Sequence, residues 1–159
     1  MINQRSECYY RLALCNAAQH NLSKAVVLAR RALQLDADNE KARRLLGLCL
    51  YELGEFGQAA DALENIQELY ESAHAEHART AELLSQVRQL AKRKKWRKAE
   101  ASLRKFEPQN VRTLLIRGCV SAAAKDFKPA AVFFARALEK DKGSAIAGVY
   151  LGEVYEKLL

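Results

Sequence analysis

The chain has 159 residues, half of them apolar, and carries 26 Lys and Arg against 19 Asp and Glu, a net charge of +7. That apolar share supports a packed core and excludes a disordered chain, while two prolines and seven glycines are too few for a sheet with many turns. No stretch approaches 18 uninterrupted apolar residues, so no membrane span is expected, and MINQRSECYY lacks the apolar core of an export signal.

Residues 6–39 read as a pair of helices. Tyr9, Leu12, Ala13 and Asn16 fall at helical spacing in the first, and Ala25, Leu28, Ala29 and Ala32 in the second. Asn21 is placed to cap the second helix, and Asp38 or Asn39 the helix that follows. Residues 40–73 repeat the pattern. Gly47 lies inside the first helix, Gly54, Glu55 and Phe56 lie in the connection, and Ala59, Leu63 and Ile66 form the buried edge of the second.

The register then slips by six residues at about 74–79. SAHAEHAR holds no Gly or Pro, which predicts a lengthened helix on one side or the other rather than a loop. His74 and His77 are three apart, but no carboxylate or thiol at suitable spacing completes a metal site, so both are expected on the surface.

Residues 80–110 keep the buried pattern with Leu83, Val87, Leu90, Trp96, Ala99, Leu103 and Phe106, and Pro108 is expected to end the second helix early. Nine Lys or Arg stand against three Asp or Glu here, a local charge of +6. Lys92, Arg93, Lys94, Lys95, Arg97 and Lys98 surround Trp96. Such a cluster could hold the phosphates of a nucleic acid. Trp96, however, lies 9 residues past Val87, as Phe56 does past Gly47 and Phe127 past Gly118, which favours an inward-packed Trp over a stacking platform. The charges then suit an acidic partner, an anionic surface or solubility.

Residues 111–144 form a fourth pair, with Leu114, Gly118, Phe127, Ala130, Phe134 and Ala137 buried. Asp126 is placed to cap a helix that takes Pro129 in its first turn, and Gly143 to close it. Residues 145–159 add one more first helix, with Gly152 in register and Val149, Leu151, Tyr155 and Leu158 apolar. LGEVYEKLL is only half polar, so either more chain follows, the favoured expectation, or another copy covers this helix.

One spacing unites these pairs. Ala13 precedes Ala25 by 12, as Gly47 precedes Ala59, Val87 precedes Ala99 and Gly118 precedes Ala130. Ala13 to Gly47, Ala25 to Ala59 and Gly118 to Gly152 are each 34. Two helices joined by a short turn approach closely only where small side chains meet. A 34-residue helix-turn-helix period with small residues at these places resembles the tetratricopeptide repeat, strongly over 6–73 and 111–159. The expected fold is all-α, a right-handed α-solenoid of antiparallel helix-turn-helix repeats. Residues 1–159 would be a single domain of repeats 6–39, 40–73, 80–110 and 111–144, with the lone helix 145–159.

The resemblance implies a concave groove lined by the first helices, which in that family holds a peptide or segment of another protein. Helical spacing assigns to it Tyr10, Leu14, Arg44, Leu45, Leu48, Leu84, Ser85, Arg88, Arg112, Leu115, Ile116, Cys119, Val149, Tyr150 and Glu153. An apolar strip with arginines suits an amphipathic or partly acidic segment. One subgroup captures chaperone carboxylate termini with two Lys, two Asn and an Arg. The matching residues here, Tyr10, Leu14, Leu45, Ala81 and Ser85, lack that chemistry.

Cys8, Cys15, Cys49 and Cys119 fall in first helices without C-x-x-C spacing, and are expected as small buried thiols in a reducing compartment. Cys8 and Cys15 would stand about 10 Å apart on one helix, too far for a disulfide. No G-x-G-x-x-G, P-loop, H-E-x-x-H or G-x-S-x-G is present, and none of His20, His74 and His77 adjoins a plausible nucleophile. The expectation is a non-catalytic, cytoplasmic interaction scaffold without metal or cofactor. A self-associating homo-oligomer is the alternative, and a nucleic-acid binder through 92–98 ranks behind it.

Overall fold

The computed structural model describes residues 2–64, 67–105 and 109–159. Among them are nine α-helices and no strand: α1 (Ile2–Ala18), α2 (Leu22–Leu35), α3 (Glu40–Leu53), α4 (Phe56–Ala62), α5 (Gln67–Lys92), α6 (Trp96–Arg104), α7 (Val111–Ala123), α8 (Phe127–Lys140) and α9 (Ala145–Leu158). The chain divides into two compact units, Met1–His77 with Asp141–Gly143, and Ala78–Lys140 with Ser144–Leu159.

Four helix pairs turn in the same way. The backbone N–H groups of Asn21, Glu55, Lys95 and Asp126 donate to the carbonyls of Asn16, Leu50, Leu90 and Ser121, five residues back, at 2.8–2.9 Å. The residue before each, namely His20, Gly54, Lys94 and Lys125, has φ of 58°, 84°, 54° and 64°. This is the left-handed closure that satisfies the last carbonyls of a helix and reverses the chain. Each of these residues lies seven past Ala13, Gly47, Val87 or Gly118, so the repeat seen in sequence is a repeat in backbone conformation. Only one of the four positions carries the glycine that tolerates this φ without cost.

Packing follows the same register. In the first unit Ala13, Ala25, Ala29, Leu46, Cys49, Leu50, Ala59 and Ala60 share one core, with Ala73 of α5 against it. In the second unit Val87, Ala99, Leu103 and Val120 form one cluster, and Ala130, Ala131, Phe134 and Val154 another. The close approach at Gly47 differs in detail from the expected small-on-small crossing. The side chain that fills its missing methyl is Leu63, and at Gly118 it is Phe134, each 16 residues on.

Caps are chosen locally. Asn39 accepts the Ala42 N–H and donates its amide to Ser6 Oγ at 2.9 Å, while Ser6 Oγ donates to the Ala32 carbonyl at 3.0 Å. One buried hydroxyl thereby ties α1, the end of α2 and the start of α3. Asn110 and Thr113 form a reciprocal capping box at α7, and Ser144 accepts from the Ala147 N–H at α9.

Several expectations are corrected. Asn21 precedes α2, but its side chain makes no cap bond and donates instead to Asn16 Oδ1 at 3.3 Å. Helix α4 ends at Ala62, and α5 already starts at Gln67, so residues 67–73 open the third pair rather than close the second. The extra residues therefore lengthen the following helix, one of the two outcomes anticipated. Gly143 does not close α8, which stops at Lys140, and its φ is not left-handed; its N–H donates to Asp141 Oδ1. Three of the four thiols are exposed, Cys8, Cys15 and Cys119, and only Cys49 is buried. Cys15 and Cys49 hold the same register position, yet only Cys49 packs into the core. Ile66, Phe106 and Pro108 lie outside the described residues.

Candidate functional site

Counting from the small residue of each first helix (Ala13, Gly47, Val87, Gly118, Gly152), the candidate groove residues fall mainly on three rows. Tyr10, Arg44, Leu84, Leu115 and Val149 lie three before it, Leu45, Ile116 and Tyr150 two before it, and Leu14, Leu48 and Arg88 one after it. Positions −3 and +1 are four apart and share a helix face. Gly47 and Gly118 point at Leu63 and Phe134 of the segments that follow, which turns this face of α3 and α7 away from those partners.

Exposure agrees with that geometry within each unit. In the first, Leu14 on α1 is 47% exposed and Leu48 on α3 is 41% exposed, on helices in direct contact. Arg44 is exposed beside them, and Tyr10 is half-buried. In the second, Arg88 is exposed, Leu84, Arg112, Leu115 and Ile116 are half-buried, and Val149 is 59% exposed. The −2 row leans into the packing, and so does Leu115 of the −3 row, which packs against the cluster of Ala130, Ala131, Phe134 and Val154. Leu45 touches the first core, Ile116 the second, and the Tyr150 ring lies 5.3 Å from that of Phe134. Tyr150 is thus shared between the α8–α9 contact and the surface.

The basic turn has a different construction. Lys92, Arg93, Lys94, Lys95, Arg97 and Lys98 are all exposed. Trp96 packs one side on the cluster of Val87, Ala99, Leu103 and Val120, as expected from its register. Its remaining surface lines two adjoining open cavities between the α5–α6 and α7–α8 turns. One, of about 480 Å³, is walled by Lys94, Lys95, Arg97, Lys98, Ala124 and Asp126. The other, of about 360 Å³, adds Glu100, Ala101, Arg104, Val120 and Ser121.

Beneath this trough lies a pair that the sequence did not reveal. Arg117 donates from Nη2 at 2.7 Å and Nε at 3.2 Å to Glu100 Oε1, and its guanidinium lies 4.2 Å from the centre of the Phe133 ring. Arg104 Nε lies 2.7 Å from Glu100 Oε2 as an ion contact without hydrogen-bond alignment. Arg117 holds the register position of the buried Leu46, and Glu100 that of the buried Val26. The signal lay in that register: a Glu and an Arg at two positions that are apolar in the first two repeats.

Burial pushes the Cys49 thiol up to about 11, with Glu52 and then Asp141 adding to it. His74 packs edge-on against Tyr70 at 4.8 Å, and both His74 and His77 are exposed. Among the described residues no group of three or more His, Cys, Asp or Glu is arranged to hold a metal ion, and no helix is long and apolar enough to cross a membrane.

Helix pairs of 34-residue period, closed by one turn and packed through one small-to-large contact, define a helical-repeat protein of the tetratricopeptide type. The family model of the anaphase-promoting complex, cyclosome, subunit 3 matches residues 18–106, more than half of the chain, and the chain belongs to that family. Among solved structures it is similar to the Arabidopsis OM64 TPR domain, at 18% identity over 99% of each chain and TM-score 0.38. YrrB, described as a TPR protein with an unusual peptide-binding site, matches at 19% identity, 94% of this chain, 76% of that one and TM-score 0.44. The TPR2AB domain of yeast Sti1, solved in complex with pHSP90, matches at 14% identity, 96% and 84% coverage and TM-score 0.42. No curated protein matches the chain.

Proposed function

We propose that the chain is a non-catalytic interaction module that binds a segment of another polypeptide on the −3/+1 face of its first helices. The observation that carries this is the pair Leu14 and Leu48, two large apolar side chains exposed at one register position on touching helices. Aliphatic area in a row supplies affinity, and Arg44, on α3 with Leu48, supplies directed bonds to carboxylates; in the second unit Arg88 and Arg112 would take that part on α5 and α7. A partner segment with alternating apolar and acidic residues fits this chemistry.

The test is a pull-down from native extract with wild type and with Leu48→Glu, Leu115→Glu. Leu48 is exposed, whereas Leu115 also packs against the Phe134 cluster, so Leu48→Glu alone is run beside the pair, and each is expected to keep its helical signal by circular dichroism. A partner retained by wild type and lost by the variant supports the face. Partners bound equally by both would place the working surface elsewhere.

A further inference from the structure

We propose that the trough beside Trp96, at the turn edge of the second unit, is a second docking site, for an acidic polypeptide segment that carries an apolar side chain. It goes beyond the first-helix face and shares no residue with it.

Three observations converge here. The local charge of residues 80–110 is +6 out of +7 for the whole chain. All six cations of 92–98 are exposed, and among the described residues none of them is held in an ion pair. The cavities beneath them, about 480 and 360 Å³, are within the roughly 300–1,000 Å³ range of ligand sites.

The lining identifies the occupant. Trp96, Ala101, Val120 and Ala124 give an apolar floor, and Lys94, Lys95, Arg97 and Lys98 give a cationic rim. An Asp- or Glu-rich backbone neutralises the rim while one Leu or Phe enters the floor. A nucleic acid suits the trough less well. A base needs an open aromatic face, whereas one side of Trp96 is spent on the core. An anionic bilayer needs a protruding apolar face, and this floor is recessed.

Trp96 is the chain's only tryptophan, so its emission reports on this trough and on the cluster it packs against. The experiment titrates the full chain with a short Asp- and Glu-rich peptide bearing one Leu, exciting above the tyrosine band. The same peptide with Leu replaced by Ser, a single-stranded oligonucleotide and anionic phosphatidylserine vesicles are run in parallel. A saturable change in Trp96 emission is expected with the Leu peptide, weaker with the Ser peptide and reduced by salt. Lys94→Glu, Lys95→Glu is expected to weaken it by about tenfold or more with the helical signal unchanged. If that variant unfolds, Lys94→Ala, Lys95→Ala provides the same comparison with a smaller loss. No emission change with the Leu peptide, equal response to the Ser peptide, or tighter binding of the oligonucleotide or vesicles would each overturn the proposal.

Discussion

Phe134 fills the space that a side chain on Gly118 would need: a methyl there would lie 2.4 Å from Phe134 Cε1. Gly47 and Leu63 stand in the same relation, at 2.3 Å from Leu63 Cγ. Gly118→Ala therefore gains about 1 kcal/mol of helix propensity but meets an overpacking cost of about 1–3 kcal/mol, and a net loss is expected. Phe134→Leu in the same chain should recover part of it, which a double-mutant cycle by urea unfolding would measure. Gly152 has nothing within 4 Å of that methyl, so Gly152→Ala should stabilise by up to about 1 kcal/mol.

Lys125 and His20 occupy left-handed backbone that Gly54 occupies freely. An L-residue there costs about 1–2 kcal/mol, and glycine's greater freedom in the unfolded chain offsets part of the gain. His20→Gly and Lys125→Gly should each raise stability by about 0.5–1 kcal/mol, and Gly54→Ala should lower it. Thermal melts of the three variants check the order.

Arg117 and Glu100 make a costly pair to break and a cheap one to replace. Arg117→Ala strands a largely buried carboxylate beside Arg104 and should cost about 3 kcal/mol. The double change Arg117→Leu, Glu100→Val installs the residues of Leu46 and Val26, and should return most of that loss. Chemical denaturation separates the cases. A single variant as stable as wild type would show the pair to be idle.

Cys49 is expected to resist a thiol reagent at pH 8 in the native protein while Cys8 and Cys15 react, and Cys119, exposed but with its thiol pushed up by partial burial, reacts more slowly than those two. Its folded pKa of about 11 stands above the ordinary 9.0, so the folded state keeps a proton that the unfolded state loses. Its contribution is full below pH 9 and lost as pH rises towards 11. Compared with Cys49→Ala, wild type should therefore lose stability more steeply across that window.

Much of the architecture was legible in sequence because it is written in side-chain size. Ala13, Gly47 and Gly118 mark one register of the repeat and Ala25, Ala59 and Ala130 another, all buried, although the close contacts at Gly47 and Gly118 are made by Leu63 and Phe134. The end of α4 was not legible. Leu63 leaves the helix as its cap residue and still fills the space at Gly47, a tertiary demand with no Gly or Pro to announce it. The exposure of Cys8 and Cys15 was missed for a related reason, since periodicity gives a helix face but not whether another helix covers it. The trough beside Trp96 needed two turns 30 residues apart to be brought together, which no local pattern encodes.

The most direct test of the first-helix face is site-specific photo-crosslinking to a captured partner. A photoreactive phenylalanine analogue is placed at Leu48, and in a second protein at Val27, an exposed apolar residue on α2. The account predicts a covalent adduct from position 48 and none from position 27. An adduct from position 27 with none from position 48 would contradict it.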